Sequence, residues 1–181
     1  MKRITLFMVI VTFVSFGCNK EKSTGTGKLS VHLTDAPAVY EKVLVDVQGL
    51  QIHVSETDEE GGWQELTLKT TGQIDLLTLT EGNSVWLTEE ELPAGDIAQM
   101  RLILGPNNQI VVDGETLDLD TPSAQQSGLK FNIHANIEEG KTYKLYIDFD
   151  AEKSIVSKGN GTYSLKPVIT VKTEEEMEAL N

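Results

Sequence analysis

The sequence contains a single cysteine, few aromatic residues and few basic ones. Cys18 has no second cysteine to pair with in the 181-residue chain, which excludes an intramolecular disulfide. Trp, Tyr and Phe together make up 6% of the residues, too few to predict a sugar-binding surface from composition alone. The 15 Lys and Arg residues are outnumbered by 28 Asp and Glu residues, giving a net charge of -13. Because phosphate binding needs a surplus of Lys and Arg, this charge argues against nucleic acid and anionic headgroups as partners.

The motifs of nucleophilic catalysis and phosphate binding are also missing. No serine lies in a Gly-x-Ser-x-Gly elbow. No glycine-rich loop has the pattern that cradles phosphate groups. We therefore predict that the protein is not an enzyme and that it uses no cofactor.

The longest apolar run lies at the N-terminus. Lys2 and Arg3 precede an almost uncharged stretch, residues 4–16, and a glycine directly precedes Cys18. This pattern is typical of a secretory signal peptide. The run is shorter than the roughly 20 residues that span a bilayer, so a permanent transmembrane helix is not expected. Removal of residues 1–17 would take away two positive charges and move the net charge from -13 to -15.

The residues SFGC that end at Cys18 resemble the bacterial lipoprotein box, except that Ser15 stands where the box usually has leucine. In that box the cysteine thiol takes a diacylglyceryl group and becomes the new N-terminus. The resemblance implies a lipid anchor at Cys18 and a place in the bacterial cell envelope, at the outer membrane. More than one acyl chain gives stable anchoring. Residues 18–27 would form a flexible tether. The alternative is a secreted protein with an incidental cysteine.

Beyond the tether, apolar residues recur at every second position, which places them on one face of a strand. Residues 28–37, KLSVHLTDAP, show this alternation and then stop. Pro37 cannot donate to a sheet, so the strand should end near Asp35. We predict a structural role for Asp35, accepting a hydrogen bond from a backbone N–H of the turn.

Two local signals fix the geometry of later strands. The apolar phase changes at Gly49, which predicts a β-bulge, because a one-residue slip would otherwise turn the apolar side chains away from the core. Asp113-Gly114 lies between apolar segments and predicts a tight hairpin.

Turn signals divide the chain into about eight or nine short strands, and helical spacing is nearly absent. We therefore predict an all-β fold, a single antiparallel β-sandwich over residues 28–172. Residues 173–181 would form an acidic C-terminal tail, either frayed or with one helical turn.

Several segments taken together resemble one family. They are, in order, GKLSVHLTDAP, VDVQGLQIHV, ELPAG with MRLIL, SGLK, and DFDAEKSIV with YSLKPV. This order resembles the bacterial lipoprotein family catalogued as domain of unknown function 4382, from about Gly27 to Val171. The resemblance implies an envelope or secreted protein, and no activity is assigned to the family. LPAG followed by a strand is also similar to prealbumin-like domains that accompany carboxypeptidases, which implies a prealbumin-like or immunoglobulin-like topology.

Two aspartates are candidates for chemistry. Asp148 and Asp150 lie two apart in a strand, so both should face away from the core, roughly 6 to 7 Å apart. This separation would suit a glycosidase pair or a calcium ion, for which Asp35 is a third candidate ligand. The alternative is that these carboxylates are solvated or cap turns.

The histidines and tryptophans are candidates for binding. His32, His53 and His134 each alternate with apolar neighbours and should face outward, so they could bind zinc if their strands were adjacent. Trp63 and Trp86 are candidate ligand contacts, and packing in the core or at its rim is the alternative.

Together these features predict a non-catalytic envelope lipoprotein whose sandwich binds a protein or glycan partner. One alternative is a structural module that assembles through an exposed sheet edge. Another is an enzyme acting on polysaccharide through Asp148 and Asp150. A concave groove lined by Trp63 or Trp86 would favour glycan binding, and an unprotected edge strand would favour assembly.

Overall fold

The computed structural model describes residues 25–54, 62–121 and 127–179, which form two β-sheets packed as a sandwich. These residues contain a 3-10 helix, Leu76–Leu79, and two short helices, Ala151–Ser154 and Glu174–Glu178. Their thirteen strands are β1 (Thr26–Asp35), β2 (Lys42–His53), β3 (Trp63–Leu66), β4 (Gly72–Asp75), β5 (Val85–Pro93), β6 (Gly95–Leu104), β7 (Gln109–Val112), β8 (Glu115–Asp120), β9 (Leu129–Ile137), β10 (Thr142–Phe149), β11 (Ile155–Ser157), β12 (Tyr163–Leu165) and β13 (Ile169–Thr173).

The smaller sheet has four strands in the order β13-β10-β1-β5. β1 lies in its interior, parallel to β10 and antiparallel to β5. The side chains of Leu29, Val31 and Leu33 are fully buried, as the alternation in this segment predicts. The first strand of the domain is therefore held on both edges.

The larger sheet runs β11-β12-β8-β7-β2-β6-β9. The long strand β2 organises it, because four strands share its two edges. Leu50 pairs with Leu66 of β3 and with Leu102 of β6, which places β3 and β6 on opposite edges. Leu44 pairs in the same way with Asp75 of β4 and Gln109 of β7.

The core lies between the two sheets and is built from the inward-facing residues of both. Phe149 at the end of β10 is its largest fully buried side chain. Burying one side chain such as Phe, Leu or Ile stabilises the fold by about 1.5 to 3 kcal/mol relative to exposure. The fully buried members include Leu29, Val31, Leu33, Val43, Val45, Val47, Leu50, Ile52, Leu76, Leu87, Met100, Leu102, Ile110 and Ile147.

The all-β sandwich predicted from the sequence is confirmed, with two differences in detail. The described residues form thirteen strands rather than eight or nine, because several strands have only three or four residues. The sheets are also not purely antiparallel, since β1–β10 and β8–β12 are parallel pairs. Period-2 patterns report which residues share a face but not which strand lies alongside, so they carry no signal for parallel pairing.

The local turn predictions are confirmed. The register between β2 and β6 shifts between Val47 and Gly49, which is the expected bulge. Asp113 and Gly114 join β7 to β8 with φ angles of 51° and 76°, the left-handed conformation of a two-residue hairpin turn. The LPAG segment has a different role from a hairpin, since Ala94 leads the chain from β5 in the small sheet to β6 in the large one.

The C-terminal residues form a capped helix instead of a frayed tail. The hydroxyl of Thr173 accepts from the backbone N–H of Glu176, and the Glu176 carboxylate accepts from the N–H of Thr173. This reciprocal capping box satisfies two backbone donors at the start of Glu174–Glu178. Over the residues that the structure describes, no helix has the length and apolarity needed to cross a membrane.

Candidate functional site

The outer face of the large sheet carries a tryptophan beside two basic side chains. Trp63 begins β3 and pairs with His53 of β2. The neighbours of Arg101 in β6 are buried, so Arg101 points away from the core. It lies in register with Gln51 of β2 on one side and with Lys130 of β9 on the other. We call these five residues the Trp63 face.

The two cations converge on the indole ring. The guanidinium carbon of Arg101 lies 4.4 Å from the ring centroid of Trp63, and the Lys130 Nζ lies 5.5 Å from it. The Nε of Arg101 donates to the Gln51 Oε1 at 2.9 Å, and its Nη2 donates to the same oxygen. The imidazole of His53 meets the indole edge-on, with centroids 5.1 Å apart. Cation–π attraction and hydrogen bonding therefore hold Arg101 in place.

The positive charge of this face is uncompensated within the described residues. Arg101 and Lys130 are directly opposite each other on adjacent strands, and like charges in such a pair destabilise a sheet. Glu65 lies on the same row, but Gln51 separates it from Arg101. In the described residues neither Arg101 nor Lys130 forms an ion pair with a carboxylate. The lysines that do are Lys69, Lys141, Lys144, Lys153, Lys158 and Lys172.

The second tryptophan belongs to a row of stacked rings on the outer face of the small sheet. The His32 ring lies between Trp86, at a centroid distance of 5.5 Å, and Tyr146, at 5.0 Å. The Lys69 Nζ lies 3.8 Å from the Trp86 centroid, and the indole N–H donates to the Ser30 Oγ at 2.8 Å. Although Trp86 is 42% exposed, these contacts occupy its ring faces and its polar group. A sugar would have to stack on a ring face that other side chains already cover.

The row also affects the charge of His32. Burial is the main cause that lowers the pKa of His32, and the nearby Lys144 ammonium lowers it further. A neutral imidazole between two aromatic rings avoids the desolvation cost of a buried cation. The arrangement is therefore consistent with packing on the sheet surface.

Asp35 lies buried at the end of β1, where the sequence places the end of the strand. Its Oδ1 accepts from the backbone N–H of Ala151 at 2.8 Å, which joins β1 to the start of a helix late in the chain. Its Oδ2 is buried and has no hydrogen-bond partner among the described residues. Burial raises the pKa of Asp35 from 3.8 to about 7, and the N–H groups of Ala151 and Ala36 act in the opposite direction.

Asp148 and Asp150 are each compensated by a lysine. The Oδ2 of Asp148 accepts from the Lys172 Nζ across to β13. Asp150 caps the helix Ala151–Ser154 by accepting from the Lys153 N–H at 3.0 Å, and its Oδ2 accepts from the Lys153 Nζ at 2.6 Å. The hydrogen bond from Lys153 lowers the pKa of Asp150. These contacts give both carboxylates structural partners.

The candidate metal ligands are not brought together within the described ranges. No group of three or more His, Cys, Asp or Glu residues there could hold a metal ion. His32 lies in the small sheet, whereas His53 and His134 lie on β2 and β9 of the large one. His53 lies on the outer face of its sheet but is only 5% exposed, because Trp63 packs against it.

The family of the chain follows from a comparison with family models. The model of a domain of unknown function, DUF4382, matches residues 26–167. The chain belongs to the DUF4382 family. The match begins at the first residue of β1 and ends two residues after β12, so it includes the whole Trp63 face. No curated protein and no solved structure was found to match this DUF4382 chain.

The DUF4382 domain also contains a buried polar network that period-2 alternation does not predict. Asp46 is only 1% exposed, and its Oδ2 accepts from the backbone N–H of Asn107 at 3.2 Å and from its Nδ2 at 3.1 Å. Asn108 is fully buried, and its Oδ1 accepts from the Asp46 N–H at 2.8 Å while its Nδ2 donates to the carbonyl of Gly105. A Cβ on Gly105 would lie 2.2 Å from the Asp46 Oδ2. The network fixes the connection between β6 and β7.

Two shallow cavities lie away from both tryptophans of the DUF4382 domain. One, of about 420 Å³, lies beside Gly49 and Glu65, and the other, of about 340 Å³, lies beside Phe131 and Ile169. Lys130 is the one member of the Trp63 face that lines a cavity, the second of the two, and Trp63 itself lines neither. Cys18, the predicted lipidation site, lies outside the described residues.

Proposed function

We propose that this DUF4382 protein is a non-catalytic lipoprotein of the bacterial cell envelope, anchored through Cys18, that binds an acidic glycan on the Trp63 face. The signal-like residues 1–17 and the lipobox-like SFGC segment support the anchor. The predicted tether 18–27 is shorter by two residues, because Thr26 and Gly27 already belong to β1, and the residues between Cys18 and β1 would hold the sandwich near the membrane surface.

The choice of an acidic glycan as the ligand rests on one observation. In a chain of net charge -13, Arg101 and Lys130 lie side by side without a carboxylate partner in the described residues, next to Trp63. Such a like-charge pair costs stability, and an anion bound between the two cations would relieve the repulsion. A carboxylate can take two parallel hydrogen bonds from a guanidinium.

A glycan explains the rest of the face better than a phosphate group alone would. Gln51, Gln99 and Asn132 surround the cations, and the Gln99 Nε2 donates to the Asn132 Oδ1 at 3.3 Å. Amide side chains offer both donors and acceptors to sugar hydroxyls. A uronic acid supplies a carboxylate for Arg101 and hydroxyl groups for these amides.

We expect the full chain in detergent to bind polygalacturonate but not the neutral polymer galactan. Isothermal titration calorimetry should show affinity that falls as salt rises, because the contact is electrostatic. The double variant Arg101→Gln with Lys130→Gln should bind at least about tenfold more weakly, since it removes both charged donors.

Lys28→Gln is the matched control. Lys28 is exposed, lies on the small sheet and has no carboxylate partner in the described ion pairs, so this variant removes one positive charge elsewhere, half of the charge that the double variant removes. Its affinity should stay within about twofold of the wild type. Failure of the wild type to bind polygalacturonate, or equal weakening by Lys28→Gln, would show that the Trp63 face is not the binding site.

A further inference from the structure

The two sheets each present an unpaired strand edge on the same side of the sandwich. Within the described residues, β9 pairs with β6 alone and β13 pairs with β10 alone. A groove of about 340 Å³ lies between them, and its lining includes Leu129 and Phe131 from β9 and Pro167 and Ile169 at the start of β13. Unpaired edges expose backbone donors and acceptors that another strand can use.

The other outer strand of the small sheet, β5, has a protected edge. The Lys69 N–H donates to the Leu87 carbonyl at 2.7 Å, and the Thr88 hydroxyl donates to the Thr67 carbonyl at 2.7 Å. The segment after β3 therefore covers the outer edge of β5. No comparable contact to the outer edge of β9 or β13 occurs in the described part of the chain.

The core is open at this groove and closed further along. In β9 the inward residues Ile133, Ala135 and Ile137 are buried, whereas Leu129 and Phe131 at the groove are only half-buried. Ile169 and Val171 of β13 are half-buried as well. A row of partly exposed apolar side chains beside an unpaired edge selects an extended segment with apolar residues at alternate positions.

The charge at the groove indicates what kind of segment would bind there. Among the described residues Lys130 lines the groove and no carboxylate does, although the chain as a whole carries a net charge of -13. Two copies of so acidic a chain repel each other, which disfavours a second copy. The groove instead complements a segment with acidic residues beside its apolar ones.

We propose that the groove between β9 and β13 receives an extended strand from another protein, apolar at alternate positions and acidic at its ends. The strand adds to a sheet edge through backbone hydrogen bonds and places its apolar side chains against Leu129, Phe131 and Ile169. This surface is separate from the proposed glycan contact, and the two meet only at Lys130.

The test uses the full chain in detergent and a probe peptide with alternating valine and threonine at its centre and two glutamates at each end. Binding should slow amide hydrogen exchange at residues 129–132 and 169–173 by at least about tenfold. The same peptide with lysines at its ends should bind more weakly, and one with N-methylated backbone amides should not bind, because it cannot add to an edge.

Two variants separate the groove from its surroundings. Ile169→Lys puts a charge at the groove and should weaken peptide binding at least about tenfold, whereas Val168→Lys, at a residue that is already 40% exposed, should not. Arg101→Gln should reduce polygalacturonate binding and leave the peptide unaffected. If Ile169→Lys does not fold, amide hydrogen exchange in the wild-type chain, with and without the peptide, still tests the proposal.

Several outcomes would overturn the proposal. They are absence of peptide binding at about 1 mM, protection that maps to other strands, or dimerisation that protects the same amides. Protection already present without peptide, and lost when residues 1–24 are deleted, would assign the groove to the chain's own N-terminal segment.

Discussion

Replacing Asp35 with asparagine is expected to make the protein more stable than the wild type at pH 8, by about 2 to 4 kcal/mol. The carboxyl is buried, and its Oδ2 has no partner among the described residues. The amide of asparagine keeps an acceptor for the Ala151 N–H and carries no charge. The variant therefore avoids the cost of a buried ionised group.

The effect has a defined direction with pH. Burial raises the pKa of Asp35 from 3.8 to about 7, so the folded protein holds a proton that the unfolded chain loses. Stability due to this group is complete below pH 3.8 and falls as the pH rises towards 7. The difference between Asp35→Asn and wild type should thus be small at pH 4 and largest above pH 7.

Urea denaturation from pH 4 to pH 8 measures the difference in free energy of unfolding between Asp35→Asn and wild type. The comparison requires that the free energy of unfolding falls with urea concentration at the same slope in both proteins. Asp35→Ala serves as a second comparison. It loses the bond from Ala151, so it should be less stable than Asp35→Asn by about 0.5 to 2 kcal/mol at every pH. A gap between wild type and Asp35→Asn that does not change with pH would mean that Asp35 is ionised throughout.

Replacing Asp46 with alanine should destabilise the protein by about 3 kcal/mol. The substitution removes the acceptor of two hydrogen bonds from Asn107 and one from Gln48. Hydrogen bonds to a charged acceptor are stronger than neutral ones, and the buried position of Asp46 adds the cost of the cavity that its carboxylate leaves. Chemical denaturation measures the free energy of unfolding directly.

Asp118→Ala is the matched control for this prediction. Asp118 lies on β8, is exposed, and accepts a single bond from the Gln109 side chain at 3.0 Å. Its removal should change the free energy of unfolding by less than about 0.5 kcal/mol. Equal effects of the two alanine substitutions would mean that the connection between β6 and β7 does not depend on Asp46.

The sequence predicts the features that depend on neighbouring residues. Alternation identifies the inward residues of β1, and the change of phase at Gly49 identifies the bulge in β2. The Asp113-Gly114 pair identifies the hairpin between β7 and β8. Each of these features depends on local backbone geometry, which is determined by residues within one short segment.

Contacts between distant segments are not predictable in this way. Asp46 alternates with valines, as an exposed residue would, but the loop that holds Asn107 and Asn108 covers it. His53 has the same pattern and is covered by Trp63. Alternation tells which face a side chain is on, and it does not tell whether another part of the chain covers that face.

The candidate binding face shows the same limit. Trp63 is identifiable from the sequence as a large residue at the edge of a loop. Its association with Arg101 and Lys130 depends on the order β3-β2-β6-β9 in the sheet. That order is set by packing of the whole domain. The sequence therefore identifies Trp63 as a candidate but does not predict that Arg101 and Lys130 lie beside it.

The interior position of β1 also has a consequence for how the protein forms. β1 is the first strand in the described chain, and Asp35 at its end is 116 residues away from Ala151, to which it bonds. One edge of β1 stays without its parallel partner until β10 has been synthesised. Because contacts so distant in sequence form slowly, we expect folding to be completed late. An apolar strand would meanwhile be exposed to aggregation.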